Sequence, residues 1–329
     1  MNYIGSKLQL ASWIFDEVGG VVGVDLKDQV FCDMFAGTGV IGRKFKGHVK
    51  KVIANDLEYY SFVLNRNYIQ NVTKIPKQKL YIEKLNNLNT IDTGFIYTNY
   101  CKGSGSGRQY FSDKNGQKID VIRKKIQNWK KEGKIGDDTY YFLVASLIQS
   151  ADKVANTASV YGSFLKNIKK IAQKELILEP ADFALDSATH EVFNEDSNIL
   201  IKKIQGDILY LDPPYNQRQY GANYHMLNTI ARYDNFTPRG KTGIRAYNAS
   251  DYSKKSKIYA SFEELIKNAD FRYIFLSYSS EGLMNIDDIK TIMQKYGSYS
   301  VIKKEHKRFK TKMNDAKNIT YEYLHVIKK

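Results

Sequence analysis

Residues 208–215 read Ile-Leu-Tyr-Leu-Asp-Pro-Pro-Tyr, and they restrict the fold more tightly than any other stretch of the chain. Four consecutive apolar residues fit a strand buried on both faces, as in a parallel sheet. Two prolines after Asp212 stop it, because proline lacks an N–H and fixes φ. The product is a stiff turn at a strand's carboxyl end, the place where open α/β sheets bind ligands. Asp212 and the Pro213 carbonyl are both acceptors, so together they can hold the two hydrogens of an exocyclic amino group. Held this way, the nitrogen lone pair delocalises less into the ring and is aimed at an electrophile. Tyr215 offers a flat face for a planar base, a contact worth about 1–3 kcal/mol. A ligand-free Pro-Pro turn would contain the same residues; the loops upstream favour a site.

The first of those loops follows a strand expected over 30–35. It reads Asp33-Met34-Phe35-Ala36-Gly37-Thr38-Gly39 and leads into a helix from Val40. Gly37 and Gly39 permit a tight turn and close backbone approach. No Lys-Ser/Thr follows the glycines, so the loop is not a triphosphate-binding P-loop. A second strand, 51–55, ends at Asp56, where a carboxylate can accept from both hydroxyls of a ribose. The alternative for Asp56 is a helix N-terminal acid for a helix over 58–71. Near the amino terminus, Ser6 suits the N-cap of a helix through Val18. Lys7 would then sit in the first turn, the wrong end of the dipole for a cation. That suggests an anionic neighbour, against the commoner solvated lysine.

The chain has 329 residues, enough for one large α/β domain with an insertion. Lys and Arg number 50 against 35 Asp and Glu, a net +15 spread along the chain rather than gathered in a tail. A folded basic domain of this kind fits a polyanionic partner such as nucleic acid. The two cysteines, Cys32 and Cys101, exclude a disulfide framework and a cysteine metal site. Cys32, inside an apolar strand, reads as core. With no signal-peptide pattern and no run long enough to span a membrane, a cytoplasmic protein is expected.

From about residue 98 the α/β rhythm breaks for some 90 residues, too long for a loop and enough for a small helical module. It holds the flexible 102–107 loop, then Arg108, a basic amphipathic helix over 119–131, an apolar helix over 140–154, and a segment with Tyr161 and Lys166. In the 119–131 helix, Ile119, Ile122, Ile126 and Trp129 make one face. Arg123 and the neighbouring lysines surround the rest. Such side chains suit groove and phosphate contacts, although any single lysine here also fits an ordinary solvated surface.

The α/β pattern resumes with a short strand at 191–193, and Asp196 follows its end. After the Asp-Pro-Pro-Tyr turn, 216–225 is dense in stacking and hydrogen-bonding groups, among them Arg218, Tyr220, Asn223 and Tyr224. His225 lacks a partner motif and is not read as a base. A second polar loop, 235–256, carries Lys241 and Arg245. Strands at 299–307 and 320–327 form an antiparallel hairpin. The cations around its connection, Lys304 to Lys312, make a phosphate-facing edge.

Taken in order, Tyr3-Ile4-Gly5-Ser6-Lys7, the 33–39 loop, Asn55-Asp56, Asp196 and Asp212-Pro213-Pro214-Tyr215 resemble the Dam-type, alpha-group adenine-N6 DNA methyltransferases, particularly restriction–modification methylases. The resemblance covers nearly the whole chain. It implies an α/β, Rossmann-like sheet with an antiparallel C-terminal hairpin. The catalytic domain would be discontinuous (1–97 and 186–329), and 98–185 would be an inserted, mainly helical target-recognition module. It implies S-adenosylmethionine as cofactor. Tyr3 and Lys7 match the amino-terminal cofactor motif. Asp33, Phe35, Gly37 and Gly39 match the methionine-binding loop, Asp56 the ribose acid and Asp196 the adenine-contacting acid. Asp207 is set aside for that last role because it precedes its strand.

The resemblance further implies that double-stranded DNA is the substrate, with one adenine flipped onto Tyr215 and its amino nitrogen attacking the sulfonium methyl in line. Asp212, Pro213, Pro214 and Tyr215 are the catalytic set, Asp212 also lining the cofactor site. Arg108, Tyr161, Lys166, Arg218, Tyr220, Asn223, Tyr224, Lys241 and Arg245 are the candidate DNA contacts. Positioning and electrostatics suffice, so neither a metal nor a covalent nucleophile is required. A monomer is expected, with a cognate restriction endonuclease as a further partner. Two alternatives compete: adenine methylation of RNA, and a non-catalytic DNA-binding specificity subunit. The second predicts a damaged catalytic turn, and this one is intact.

Overall fold

The computed structural model describes residues 6–89, 91–307 and 319–329. Tyr3, Gly5 and the cations Arg308, Lys310 and Lys312 lie outside the described residues. The chain divides into two compact units, one formed by Lys7–Leu57, Ala188–Gln219 and Ala249–Lys329, the other by Met1–Ser6, Glu58–Ser187 and Tyr220–Asn248.

The first unit contains a seven-stranded sheet: β1 (Val30–Asp33), β2 (Lys51–Asn55), β3 (Glu191–Phe193), β4 (Gln205–Leu211), β5 (Asp270–Ser279), β6 (Ser298–Lys307) and β7 (Ile319–Lys328). Their spatial order is β3-β2-β1-β4-β5-β7-β6. The first five run parallel, while β7 pairs antiparallel with both β5 and β6. The strand order reverses between β1 and β4, which makes their carboxyl ends the topological switch point. β1 and β4 carry the apolar runs because both their faces are covered. On one face Cys32, Leu209, Leu211, Ile274 and Leu276 pack with Phe262, Leu265, Ile289 and Met293 of the helices Ile258–Asn268 and Ile286–Gln294. On the other, Phe45 of the helix Val40–Phe45 stacks on Phe31 at 3.8 Å.

The amino-terminal helix starts later than expected. It spans Ala11–Val22, and Leu10, not Ser6, is its N-cap. Residues 7–10 form a turn closed by the Leu10 N–H on the Lys7 carbonyl. The side chain of Lys7 reaches Asp212 and Glu322 at the carboxyl end of β4 and on β7.

The second unit is helical. Its core joins Tyr60, Ile96, Ile119, Ile122, Ile126, Leu143, Leu147, Tyr224, Leu227 and Ile230. These come from the helices Tyr59–Asn65, Phe95–Tyr100, Asp113–Lys131, Asp137–Lys153 and His225–Arg232 and their flanks. Its bounds depart from the expected module. Residues 58–97 and 220–248 pack with it, because their apolar faces are buried against the 113–153 helices rather than the sheet. The chain expected as one helix over 58–71 is α-helical over Tyr59–Asn65 and continues as a π-helical turn, Arg66–Gln70. Arg123, expected among the surface cations, is fully buried. Among the described residues no helix is long and apolar enough to cross a membrane.

Candidate active site

The register of the sheet builds the site. Asp33 is the last residue of β1 and lies opposite Tyr210 of β4. Asp212 follows β4 directly, so both carboxylates reach the switch point. The Met34 N–H still donates to the Tyr210 carbonyl, after which the chain turns away. Gly37 (φ 53°) and Gly39 (φ 76°) adopt the left-handed conformation that the turn requires. Asp56, at the end of β2, accepts from the Gly37 N–H at 2.7 Å through Oδ2. The acid thus holds the glycine loop in place as well as standing at its rim. Asn55 ties the neighbouring strand ends: its Nδ2 donates to the Met34 and Glu195 carbonyls, and its Oδ1 accepts from the Glu195 N–H.

Asp33 is buried. Its Oδ2 accepts from the Gly42 N–H at 3.2 Å, while Oδ1 has no hydrogen-bond partner among the described residues. Burial, followed by the charge of Asp212, pushes its carboxyl up to about 8. A buried acceptor without a donor is costly unless a ligand supplies one. The site therefore fits a ligand bringing a cation or an N–H to Oδ1, as the methionyl ammonium of S-adenosylmethionine would.

Lys7 is 6% exposed, and its Nζ lies 3.0 Å from Asp212 Oδ1 and 3.0 Å from Glu322 Oε1. Burial disfavours its ammonium, but the Asp212 and Glu322 carboxylates outweigh that and hold it well above the ordinary lysine range. Asp212 is pushed up to about 6 by burial, with Lys7 opposing and Glu322 reinforcing the shift. The Lys7 Nζ also stands 5.7 Å from the centroid of the Tyr215 ring. Pro213 is buried, while Pro214 and Tyr215 are half-buried. The Tyr215 carbonyl is anchored by the Leu283 N–H at 3.1 Å. Phe35 meets Tyr252 edge-on at 5.0 Å, and the Tyr252 hydroxyl donates to Asn198 Oδ1 at 2.8 Å.

Asp196 is exposed and caps the short helix Ser197–Leu200, its Oδ1 accepting from the Asn198 and Ile199 N–H groups. Asp207 instead accepts from the Val30 N–H at the opposite end of the sheet, consistent with setting it aside. Sequence reasoning missed Glu322, Ser277 and Tyr252. Glu322 had a signal: it shares strand parity with the buried Leu324 and Val326, so its side chain faces inward.

The candidate DNA contacts separate into three groups. Tyr161 and Tyr224 are buried core residues and are corrected. The Tyr161 hydroxyl donates to Asp152 Oδ1 at 2.7 Å, and the Tyr224 ring packs on Tyr60. Arg108 and Arg245 are held within the helical unit. Arg108 donates to the carbonyls of Asn99, Gly240 and Lys241, and Arg245 makes a bidentate pair with Asp234. Lys166, Arg218 and Lys241 are exposed, and Tyr220 and Asn223 are half-buried. His225 is buried with Nε2 2.9 Å from the Tyr161 carbonyl, a core histidine rather than a base. In the expected phosphate-facing edge, Lys304 Nζ lies over the Trp13 ring.

Comparison with known proteins gives a concordant picture. Residues 3–292 match the family described as D12 class N6 adenine-specific DNA methyltransferase. The chain is 57% identical to the Type II methyltransferase M.NlaIII of Neisseria lactamica, over 100% of this chain and 99% of that protein. It is 39% identical to the Type II methyltransferase M.CviAII of Paramecium bursaria Chlorella virus 1, over 98% and 97%. It is 36% identical to the Type II methyltransferase M.FokI of Planomicrobium okeanokoites, over 100% of this chain but 53% of that protein.

Proposed function

Because the chain belongs to the D12 class of N6 adenine-specific DNA methyltransferases, we propose that Asp212, the Pro213 carbonyl and Tyr215 hold its target adenine. The reaction transfers a methyl group to the exocyclic amino group of adenine in DNA. S-adenosylmethionine, when bound, supplies an electrophilic methyl on a sulfonium. Asp33, Phe35, Gly37, Gly39, Asp56 and Asp196 are the residues to hold it. Lys7 acts from beneath the turn rather than as a free surface cation.

Asp212 and the Pro213 carbonyl each accept one amino hydrogen and fix the direction of the nitrogen lone pair. Tyr215 receives the ring by stacking, which offsets part of the few kcal/mol that flipping costs. The residues needed are acceptors and an aromatic face, and all of them lie in one turn. Lys166, Arg218, Tyr220, Asn223 and Lys241 are the proposed duplex contacts, and the helical unit is the proposed target-recognition module. Arg108 and Arg245 are proposed to shape that module rather than to touch phosphate.

The observation that carries this reading is the half-buried Asp212 carboxylate at the switch point, paired with Lys7 and next to the glycine loop. By analogy with the relatives' names, the biological role is host protection in a cytoplasmic restriction–modification system, with a cognate endonuclease as partner and a monomer as the working form. Tritiated methyl transfer to plasmid DNA tests the assignment. Asp212→Ala should lower the rate by a factor of about 100 or more while cofactor binding by calorimetry persists. Native turnover by that variant refutes it.

A further inference from the structure

We propose that Glu322 is a positioning residue for Asp212, acting through Lys7; the inference rests on the assignment of Asp212 to the adenine amino group. Glu322 stands on β7, separated from β4 by β5. The Lys7 ammonium spans that width, 3.0 Å from each carboxylate. Ser277 of β5, fully buried, donates its hydroxyl hydrogen to Glu322 Oε1. Tyr210 of β4, Asp33 of β1, Tyr278 of β5 and Tyr215 of the turn are further titratable groups that couple electrostatically to this cluster.

A buried carboxylate is costly unless it is paired and hydrogen-bonded. The parity of β7 would accept an apolar residue at 322, as it does at 324 and 326. One carboxylate would also suffice to neutralise Lys7. The second has two effects that the first cannot produce. It shares the ammonium, which stands 3.0 Å from both carboxylates, so Asp212 is not its sole partner and keeps lone pairs for the amino hydrogens. It also leaves the cluster with a net negative charge, which stabilises the positive charge that develops on the amino nitrogen as it is methylated.

Single-turnover methyl transfer to plasmid DNA, followed across the acid limb of the pH profile, tests this. Glu322→Gln keeps the shape and removes the charge. Its rate should fall about tenfold or more with both KM values nearly unchanged. Its acid limb should move to lower pH by about one unit, because a like charge no longer raises the Asp212 carboxyl. Glu322→Asp keeps the charge but shortens the reach; it should restore the native acid limb while the rate stays reduced. If Glu322→Gln does not fold, Ser277→Ala carries the test: a lower kcat at unchanged KM is expected, and an unchanged kcat overturns the proposal. A native rate and a native acid limb in Glu322→Gln overturn it while Asp212→Ala is inactive. Activity in Asp212→Ala would instead sink the underlying assignment.

Discussion

Asp33 and Asp212 end adjacent strands, and burial raises both carboxyls, to about 8 and about 6. The shift at Asp33 has a consequence for stability. Its folded pKa lies above its unfolded value, so the folded state retains a proton that the unfolded chain releases. Stability is then full below about pH 4 and declines as pH rises toward 8. Asp212 and Asp120 leave the window at about 6, and the buried His225 and His325, both lowered to about 4, act in the opposite direction only below 6.5. Between pH 6.5 and 8 the protein without cofactor should therefore lose stability by up to about 1.4 kcal/mol per pH unit, and Asp33→Asn should flatten the slope. Urea denaturation at several pH values measures this. An equal slope in both proteins contradicts the assignment.

Among the elements, the helix Asp113–Lys131 contains the least expected interaction. Its apolar stripe, with Ile119, Ile122 and Ile126, packs as its spacing requires. Arg123, one position beyond Ile122, is buried as well. Its guanidinium donates to the Ile230 and Ala231 carbonyls, in the last turn of the helix His225–Arg232, and to Gln127 and Tyr140. Those carbonyls belong to the group that a helix cannot satisfy internally, and they carry the negative end of its dipole. The buried cation is thus held by a helix terminus and by the Tyr140 and Tyr233 rings, 5.5 and 5.7 Å away. Replacing Arg123 with Ala should destabilise the protein by about 3 kcal/mol or more, because carbonyls lose their donors and a cavity opens. Chemical denaturation decides it, and a loss below about 1 kcal/mol is inconsistent with this role.

For the whole molecule, the net charge of +15 sets the long-range behaviour toward DNA. Only some of that charge can contact phosphate: Arg123 is buried, and Lys118, Lys124, Lys153 and Lys202 are paired with carboxylates. Lys166 is exposed in the helical unit. If it meets phosphate, Lys166→Gln should weaken binding to all duplexes alike and lower the slope of log affinity against log salt by about one. Fluorescence titrations at several salt concentrations provide the slope; an unchanged value removes Lys166 from the interface. Arg108, held by three carbonyls, should affect stability more than that slope.

The sequence alone determined whatever depends on near neighbours. Proline's missing N–H ended β4 just before Asp212, and glycine's free φ shaped the 37–39 turn. Short apolar runs marked β2 and β3, two long closing strands marked the β6–β7 hairpin, and the strand ends located Asp33 and Asp56. Tertiary structure decided which polar groups are buried, because that depends on partners remote in the chain. Lys7 meets Asp212 and Glu322 only once β4, β5 and β7 lie side by side. Arg123, Tyr161 and Tyr224 carry the chemistry of a DNA surface but are packed inside, where a helix end, Asp152 and Tyr60 supply their partners. A side chain's type states what it can bind; only the fold states what it meets.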